Sequence, residues 1–430
     1  MCDNCRPSKR RRQGHPTLEH GRHGVRGGAA QRAFATVLAC LARRATIDAR
    51  WRHLRYLARA PTLCIQTFLP VERARCDFLA PLCAIAAGPR GSVVAGGFVQ
   101  VGGEALVMWH NDCAARHVLR PAVAAHVRAL LRVGEEEVAV ADEGGRVSVW
   151  RLRAQHTTLQ FEIAAQETPV LALALLACTA QRRDKTLATA GVGGRVQLWN
   201  LRTRARIGSF GGSVPHSSIF SMCTVEEGCH LFLCELRAGV SELRVSPGAR
   251  PTMERVVVDT TLEVRGQLVH PRCCCALRGA YSAAAGGARC TIILRSATAA
   301  PAGAAASGIP VMSLPAMPFA DIQAIAAIET AERAAPHRFV ATGSSDGVVR
   351  IWSLGSKRCV CDIAGHRAAV RALSFRLHRN VRYLVSGEND GIRGRLLTHD
   401  VGALLDELAT AERGPLGAAS QGSTAPSEVV

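Results

Sequence analysis

The chain has 430 residues, of which 48% are apolar and 4% aromatic, and its formal net charge is +19. This length is too great for one ordinary compact domain and favours several domains or a repeat architecture. More than half of the net charge lies in residues 1–60, so the high isoelectric point belongs mainly to one end of the chain. Charge alone therefore does not make the body of the protein a nucleic-acid-binding domain.

Cysteine usage and hydropathy bear on the compartment. The 17 cysteines are odd in number and scattered, and Cys273–Cys275 are adjacent. No disulfide framework has this pattern, so it predicts reduced thiols in the cytosol or nucleus. The longest apolar run, Pro169–Ala180, is shorter than the roughly 20 residues of a membrane span. We expect neither a secretory signal nor a membrane partner.

The N-terminal segment, residues 1–59, is predicted to be a basic extension, largely disordered or helical. The run Lys9, Arg10, Arg11 and Arg12 is typical of a nuclear import signal. Two alternatives stay open, a solvated basic tail and a mitochondrial transit peptide. The expected location is thus nuclear or cytoplasmic, with the mitochondrion as the alternative.

Cysteines and histidines near the N-terminus offer the atoms of a zinc site but not its usual spacing. Its candidate ligands would be Cys2, Cys5, His15, His20 and His23. Their spacing departs from that of zinc fingers, and the residues between them supply almost no apolar core. The sequence therefore predicts no metal and no other cofactor.

A repeated phrase follows this segment. Small residues, a tight Asp-Gly or Gly-Gly turn and an alternating apolar strand lead up to Trp109, Trp150, Trp199 and Trp352. Both dipeptides suit the positive φ angles of a hairpin turn. Weaker copies end at Leu243, Leu294 and Leu396, so that equivalent positions recur every 41 to 58 residues. A blade of four strands has about this length when its loops carry insertions.

The repeat resembles the WD-repeat family over roughly residues 60–400. The resemblance implies an all-β fold, a seven-bladed β-propeller of four-stranded blades preceded by the basic N-terminal extension. Residues 401–430 are predicted to form a short helix and a flexible tail. Because the segment after Leu396 looks helical, the strand-like run Thr62–Phe68 is predicted to supply the missing outer strand of the last blade.

In the family, a blade can carry a buried tetrad of His, Ser or Thr, Asp and Trp. The resemblance assigns Thr342, Asp346 and Trp352 to the sixth blade, with Pro318 in place of the histidine. The last blade would have His366, Ser386 and Asp390, with Leu396 in place of the tryptophan. His366, and His216 as well, could suggest acid–base chemistry, but His366 is interpreted as a structural residue of its blade.

The predicted function is that of a non-enzymatic scaffold, which binds other proteins through the propeller faces and has no small-molecule substrate. One alternative is a nuclear assembly factor, in ribosome biogenesis or chromatin, which contacts nucleic acid through the basic tail. The other is a substrate receptor of a cullin-4 ubiquitin ligase, because such family members carry Trp-Asp-x-Arg. Here Arg153 and Arg202 lie at that offset, but neither blade has the Asp.

Overall fold

In the computed structural model, the residues that can be described are 71–78, 82–88, 92–97, 106–110, 115–119, 126–153, 157–176, 185–211, 217–225, 230–236, 239–245, 253–259, 262–264, 267–269, 272–277, 281–286, 290–295, 310–314, 320–328 and 339–413. All of them lie in one compact unit, Phe68–Val430. The N-terminal extension, with its import and zinc candidates, lies outside the described residues, as do His216 and Pro318.

The described chain opens with strand β1 (Val71–Phe78) and then forms blades of four consecutive strands. Blade one contains β2 (Leu82–Ala87), β3 (Val93–Gly97), β4 (Leu106–His110) and β5 (Ala115–Leu119). Blade two contains β6 (Val127–Arg132), β7 (Glu137–Asp142), β8 (Arg146–Leu152) and β9 (Thr157–Ala164). Blade three contains β10 (Val170–Leu176), β11 (Thr186–Gly191), β12 (Arg195–Asn200) and β13 (Arg206–Gly211).

Three further blades repeat this order. Blade four contains β14 (Ile219–Val225), β15 (His230–Glu235), β16 (Gly239–Val245) and β17 (Met253–Asp259). A two-stranded ribbon, β18 (Leu262–Val264) and β19 (Gln267–Val269), follows it. Blade five contains β20 (Cys273–Ala276), β21 (Tyr281–Gly286), β22 (Cys290–Arg295) and β23 (Pro310–Leu314). Blade six contains β24 (Ile322–Ile328), β25 (Phe339–Ser344), β26 (Val348–Ser353) and β27 (Arg358–Ala364).

The last strands are β28 (Ala369–His378), β29 (Val381–Asn389) and β30 (Gly394–Asp400), and helix α1 (Gly402–Arg413) follows them. They form a sheet in the order β1-β30-β29-β28, which we call the closing sheet. The outer strand is therefore Val71–Phe78, and the prediction that Thr62–Phe68 fills this place is wrong. Seven blades were predicted; six have four consecutive strands, and the closing sheet draws on both ends of the described chain.

Contacts between inner strands link the blades in sequence. The first strand of each blade contacts the first strand of the next, and β28 of the closing sheet contacts β2 of blade one. These strands are rich in small and branched apolar residues, as in Val170–Leu176, because both of their faces are packed between neighbouring blades. The fold is an all-β propeller of four-stranded blades.

The core lies between adjacent blades. Between blades three and four, for example, Val196 and Leu198 pack in one cluster with Ile219, Leu231 and Leu233. All five are fully buried. Alternating apolar residues along each strand fill these layers, which is why the short repeated phrase predicts the architecture so well.

A pairing irregularity marks the repeat position in the structure. In blades two to six, the register between the third and outer strands shifts at the residue that ends the repeated phrase, namely Trp150, Trp199, Leu243, Leu294 and Trp352. In the closing sheet the same shift falls at His399, which pairs with Glu72. His399, rather than Leu396, therefore stands where a tryptophan would.

Candidate functional site

Each blade offers turns at both ends of its strands. We call the turns between second and third strands the upper face; their described residues include 142–146, 191–195 and 389–394. The lower face consists of the turns between first and second and between third and outer strands, including 132–137, 200–206 and 378–381. Antiparallel order places these two sets of turns at opposite ends of the blade.

Blade six contains a buried polar pair. The Trp352 indole Nε1 donates a 2.8 Å hydrogen bond to the Thr342 hydroxyl, and both residues are buried. Asp346 instead lies in the upper-face turn. Its carboxylate accepts a hydrogen bond from the Val348 backbone N–H at 3.1 Å. It also forms an ion pair with the Arg350 guanidinium at 2.6 Å. Asp346 thus closes the hairpin, a task that its short carboxylate suits.

The closing sheet holds a second polar group. His366 Nδ1 lies 3.0 Å from Glu388 Oε2, and His366 Nε2 lies 2.7 Å from Ser386 Oγ. Arg395 Nη2 donates to the same Glu388 oxygen at 2.9 Å. The sequence had assigned Asp390 to the carboxylate role beside His366, but Asp390 accepts hydrogen bonds from the Ile392 and Arg393 backbone N–H groups in the turn. The longer side chain of Glu388 reaches the imidazole instead.

Burial decides the protonation state of this histidine. It lowers the pKa of His366 to about 4, outweighing the attraction of Glu388, so the imidazole is neutral near pH 7. The neutral ring then donates through Nδ1 to Glu388 and accepts the Ser386 hydroxyl through Nε2. A hydroxyl, an imidazole and a carboxylate in series resemble a hydrolase triad. Ser386 is only 1% exposed, however, which fits a structural role in the blade.

The other predicted tryptophans have different surroundings. The Trp150 indole donates to Ser148 of its own strand at 3.0 Å. Trp199 is buried, and neither its indole nitrogen nor the hydroxyl of Thr189 has a hydrogen-bond partner among the described residues. Trp109 pairs with Val93 along the backbone. Trp150, Trp199 and Trp352 therefore keep their place in the strand, while the hydrogen bonding of the indole differs from blade to blade.

Arg153 and Arg202, the candidate partner contacts, both lie on the lower face. Arg153 Nε forms a 3.3 Å ion pair with Glu136. The backbone N–H of Arg202 donates to Asn200 Oδ1 at 2.9 Å, so Asn200 caps the turn from which this exposed arginine extends. The structure brings the two arginines to the same face of neighbouring blades.

Exposed apolar side chains are a feature that the repeat pattern does not indicate. Val192, Leu236 and Ile392 are 39%, 41% and 65% exposed, and each lies in an upper-face turn. A signal was nevertheless present in the sequence, because a branched or large apolar residue inside a turn is unusual.

Sulfur chemistry differs from expectation at one position. Cys76 is disulfide-bonded, so the prediction of reduced thiols is wrong there. Eight other cysteines within the described ranges are reduced thiols. In the same part of the chain, no group of His, Cys, Asp and Glu is arranged to hold a metal ion. No helix in that part is long and apolar enough to cross a membrane.

These observations define the class as a β-propeller of four-stranded blades. The family model described as "WD domain, G-beta repeat" matches residues 334–353, which include Thr342, Asp346 and Trp352. Together, the matched repeat and the propeller arrangement support the assignment of the chain to the WD-repeat β-propeller family. The comparison with curated proteins gave no match.

Proposed function

We propose that this protein is a scaffold that holds other proteins together in a complex, with the upper face as its main binding surface. The six blades and the closing sheet would act as one ring of seven. Such a ring presents turns of fixed geometry over a wide area, which suits docking more than chemistry.

The observation that carries this proposal is the set of exposed apolar side chains on hydrogen-bonded turns. The Val192 backbone N–H donates to Pro169 O at 3.1 Å, and that of Leu236 donates to Ser218 O at 2.9 Å. The Ile392 N–H donates to Asp390 Oδ1 at 2.8 Å. Because these turns are already ordered, a partner that buries the side chains would not have to order them, which favours affinity.

The test compares two sets of apolar substitutions in the full chain. One variant replaces Val192, Leu236 and Ile392 by Ser on the upper face. Its matched control replaces Leu159 and Leu377 by Ser; these residues are 37% and 56% exposed but lie outside the upper face. Tagged proteins are purified from cells, and bound proteins are quantified by mass spectrometry and size-exclusion chromatography.

We expect the wild-type protein and the control to elute with the same partner at constant stoichiometry, and the upper-face variant to lose it. Equal loss in both variants, with unchanged melting temperatures, would contradict the upper face as the binding surface. Elution of the wild-type protein as a bare monomer would contradict the scaffold itself.

A further inference from the structure

The lower-face turn of blade three, Asn200–Arg206, is tightly built. Asn200 Oδ1 accepts hydrogen bonds from the backbone N–H groups of Arg202 and Thr203, both at 2.9 Å. The Asn200 backbone accepts from Arg204 N at 2.8 Å and donates to Ala205 O at 3.0 Å. The turn therefore holds its backbone through four hydrogen bonds, while the side chains of Arg202, Arg204 and Arg206 are exposed.

Backbone conformation in this turn differs from that in the upper-face turns. Arg204 has φ of 60°, in the left-handed region that side chains other than Asn, Asp and His seldom adopt. Upper-face turns of the same protein use glycine for positive φ, as at Gly145 and Gly347. Lys357, five residues after Trp352 as Arg204 is after Trp199, also has positive φ, at 56°. Arg379 and Asn380, in a third lower-face turn, have positive φ as well. These turns thus carry larger residues where glycine would be less strained, and strain of this kind is often found at functional sites.

The Arg204 guanidinium is also held in place. Its central carbon lies 4.8 Å from the centre of the Phe161 ring on the outer strand of blade two. A guanidinium stacked on an aromatic ring keeps its donors directed outward.

Glutamates and further cations border the turn. Glu136 pairs with Arg153 at 3.3 Å, and Glu137 pairs with Arg151 at 3.0 Å and approaches Lys185 at 4.0 Å. These pairs belong to the adjoining part of the lower face, since Lys185 O accepts a hydrogen bond from Leu201 N in the turn. In this part of the lower face, the three arginines of the turn together with Arg151, Arg153 and Lys185 outnumber the glutamates of 135–137, so the surface is basic overall.

We propose that the turn Asn200–Arg206, with Phe161 beside it, binds a short acidic segment of a partner protein. The proposal rests on the scaffold function and names a second surface and its partner's chemistry. The planar guanidinium group of arginine binds a carboxylate through two parallel hydrogen bonds. Guanidinium groups that are already fixed in place lose less conformational freedom on binding, which favours affinity. A nucleic-acid backbone fits less well, because Glu136 and Glu137 interrupt the basic tract that successive phosphates need.

The probe is a Glu-rich peptide of about 12 residues that carries a photo-crosslinker, added to the full chain. Mass spectrometry measures the crosslinks at residues 157–161 and 200–206. Crosslinks to residues 1–60, which are strongly basic in every variant, serve as the internal reference. The test variant is R202Q/R204Q/R206Q. The matched control, R146Q/R195Q/R393Q, removes the same charge from exposed arginines of the upper-face turns.

We expect crosslinking at the turn to fall at least tenfold in the test variant and to stay unchanged in the control, with equal melting temperatures. Equal loss in both variants would overturn the proposal, since net charge would then explain it. Stronger crosslinking of the turn by a single-stranded oligonucleotide of equal length would also overturn it, in favour of nucleic acid. An upper-face complex that survives in the test variant would leave the scaffold function standing, whichever result the peptide gives.

Discussion

At the scale of single residues, polar pairs buried inside blades fix the neighbouring strands relative to one another. The Trp352–Thr342 hydrogen bond is the clearest, because both groups are almost completely removed from water. Removing one partner leaves the other as a buried polar group without a hydrogen bond, which costs more than the bond itself contributes.

We therefore expect Trp352→Phe to lower the free energy of unfolding by about 1–3 kcal/mol beyond its loss of packing, because Thr342 loses its donor. Thr342→Val should make a subsequent Trp352→Phe less costly. Urea unfolding of both single variants and the double variant measures this coupling. Strict additivity would mean that the hydrogen bond contributes nothing to stability.

His366 should make stability depend on pH. Its pKa is about 4 in the folded protein against an ordinary 6.5, so the unfolded chain binds the proton more tightly. The resulting stabilisation, about 3 kcal/mol, is present above pH 6.5 and is lost as pH falls towards 4. Thermal unfolding of the wild-type protein and His366→Gln across this range checks it. The variant should show a flatter pH profile, and parallel profiles would exclude His366 as the cause.

The repeated phrase predicts some residue positions of the propeller correctly and others wrongly. The repeated phrase gives the register at Leu243 and Leu294 even though the tryptophan is missing. It fails at Leu396, because the turn from Asn389 to Gly394 is longer than its equivalents and moves the repeat position to His399. His399 is followed by Asp400, as the tryptophan of a family repeat can be followed by Asp, and this could have indicated the register. The sequence does not indicate that Glu388, rather than Asp390, contacts His366, because this depends on the positions of the side chains in the folded sheet.

At the scale of elements, the outer strand of the closing sheet explains a second error. Glu72, Arg73, Arg75 and Asp77 of β1 are exposed, since one face and one edge of an outer strand meet solvent. The more apolar run Thr62–Phe68 therefore looked like the better strand. Burial pattern, rather than hydropathy, distinguishes an outer strand from a core strand.

Two truncations test whether β1, rather than the run Thr62–Phe68, is the strand that closes the ring. A chain that lacks residues 1–70 retains β1 and should unfold cooperatively. A chain that lacks residues 1–78 exposes the whole edge of β30 and should aggregate or lose its cooperative transition, because open strand edges pair with other chains. Circular dichroism melts and light scattering compare the two. A well-folded protein without residues 1–78 would show that β1 is dispensable for ring closure.

At the scale of the whole molecule, positive charge is concentrated in residues 1–60. We propose that Lys9, Arg10, Arg11 and Arg12 direct nuclear import. Replacing all four by Ala should move a fluorescent fusion from nucleus to cytoplasm, with R146A/R195A as the control for lost charge. An unchanged distribution would contradict the import signal, and mitochondrial fluorescence in both proteins would favour a transit peptide.

The closing sheet has a consequence for synthesis on the ribosome. Arg73 of β1 forms its ion pair with Asp400, 327 residues later in the chain. At 5–20 residues per second, β1 leaves the ribosome roughly 15 to 65 s before its partner strand exists. Blades of consecutive strands can form one after another during this interval, but β1 must wait as an unpaired edge. The closing sheet can therefore form only when translation is nearly complete, and until then β1 is open to pairing with strands of other chains.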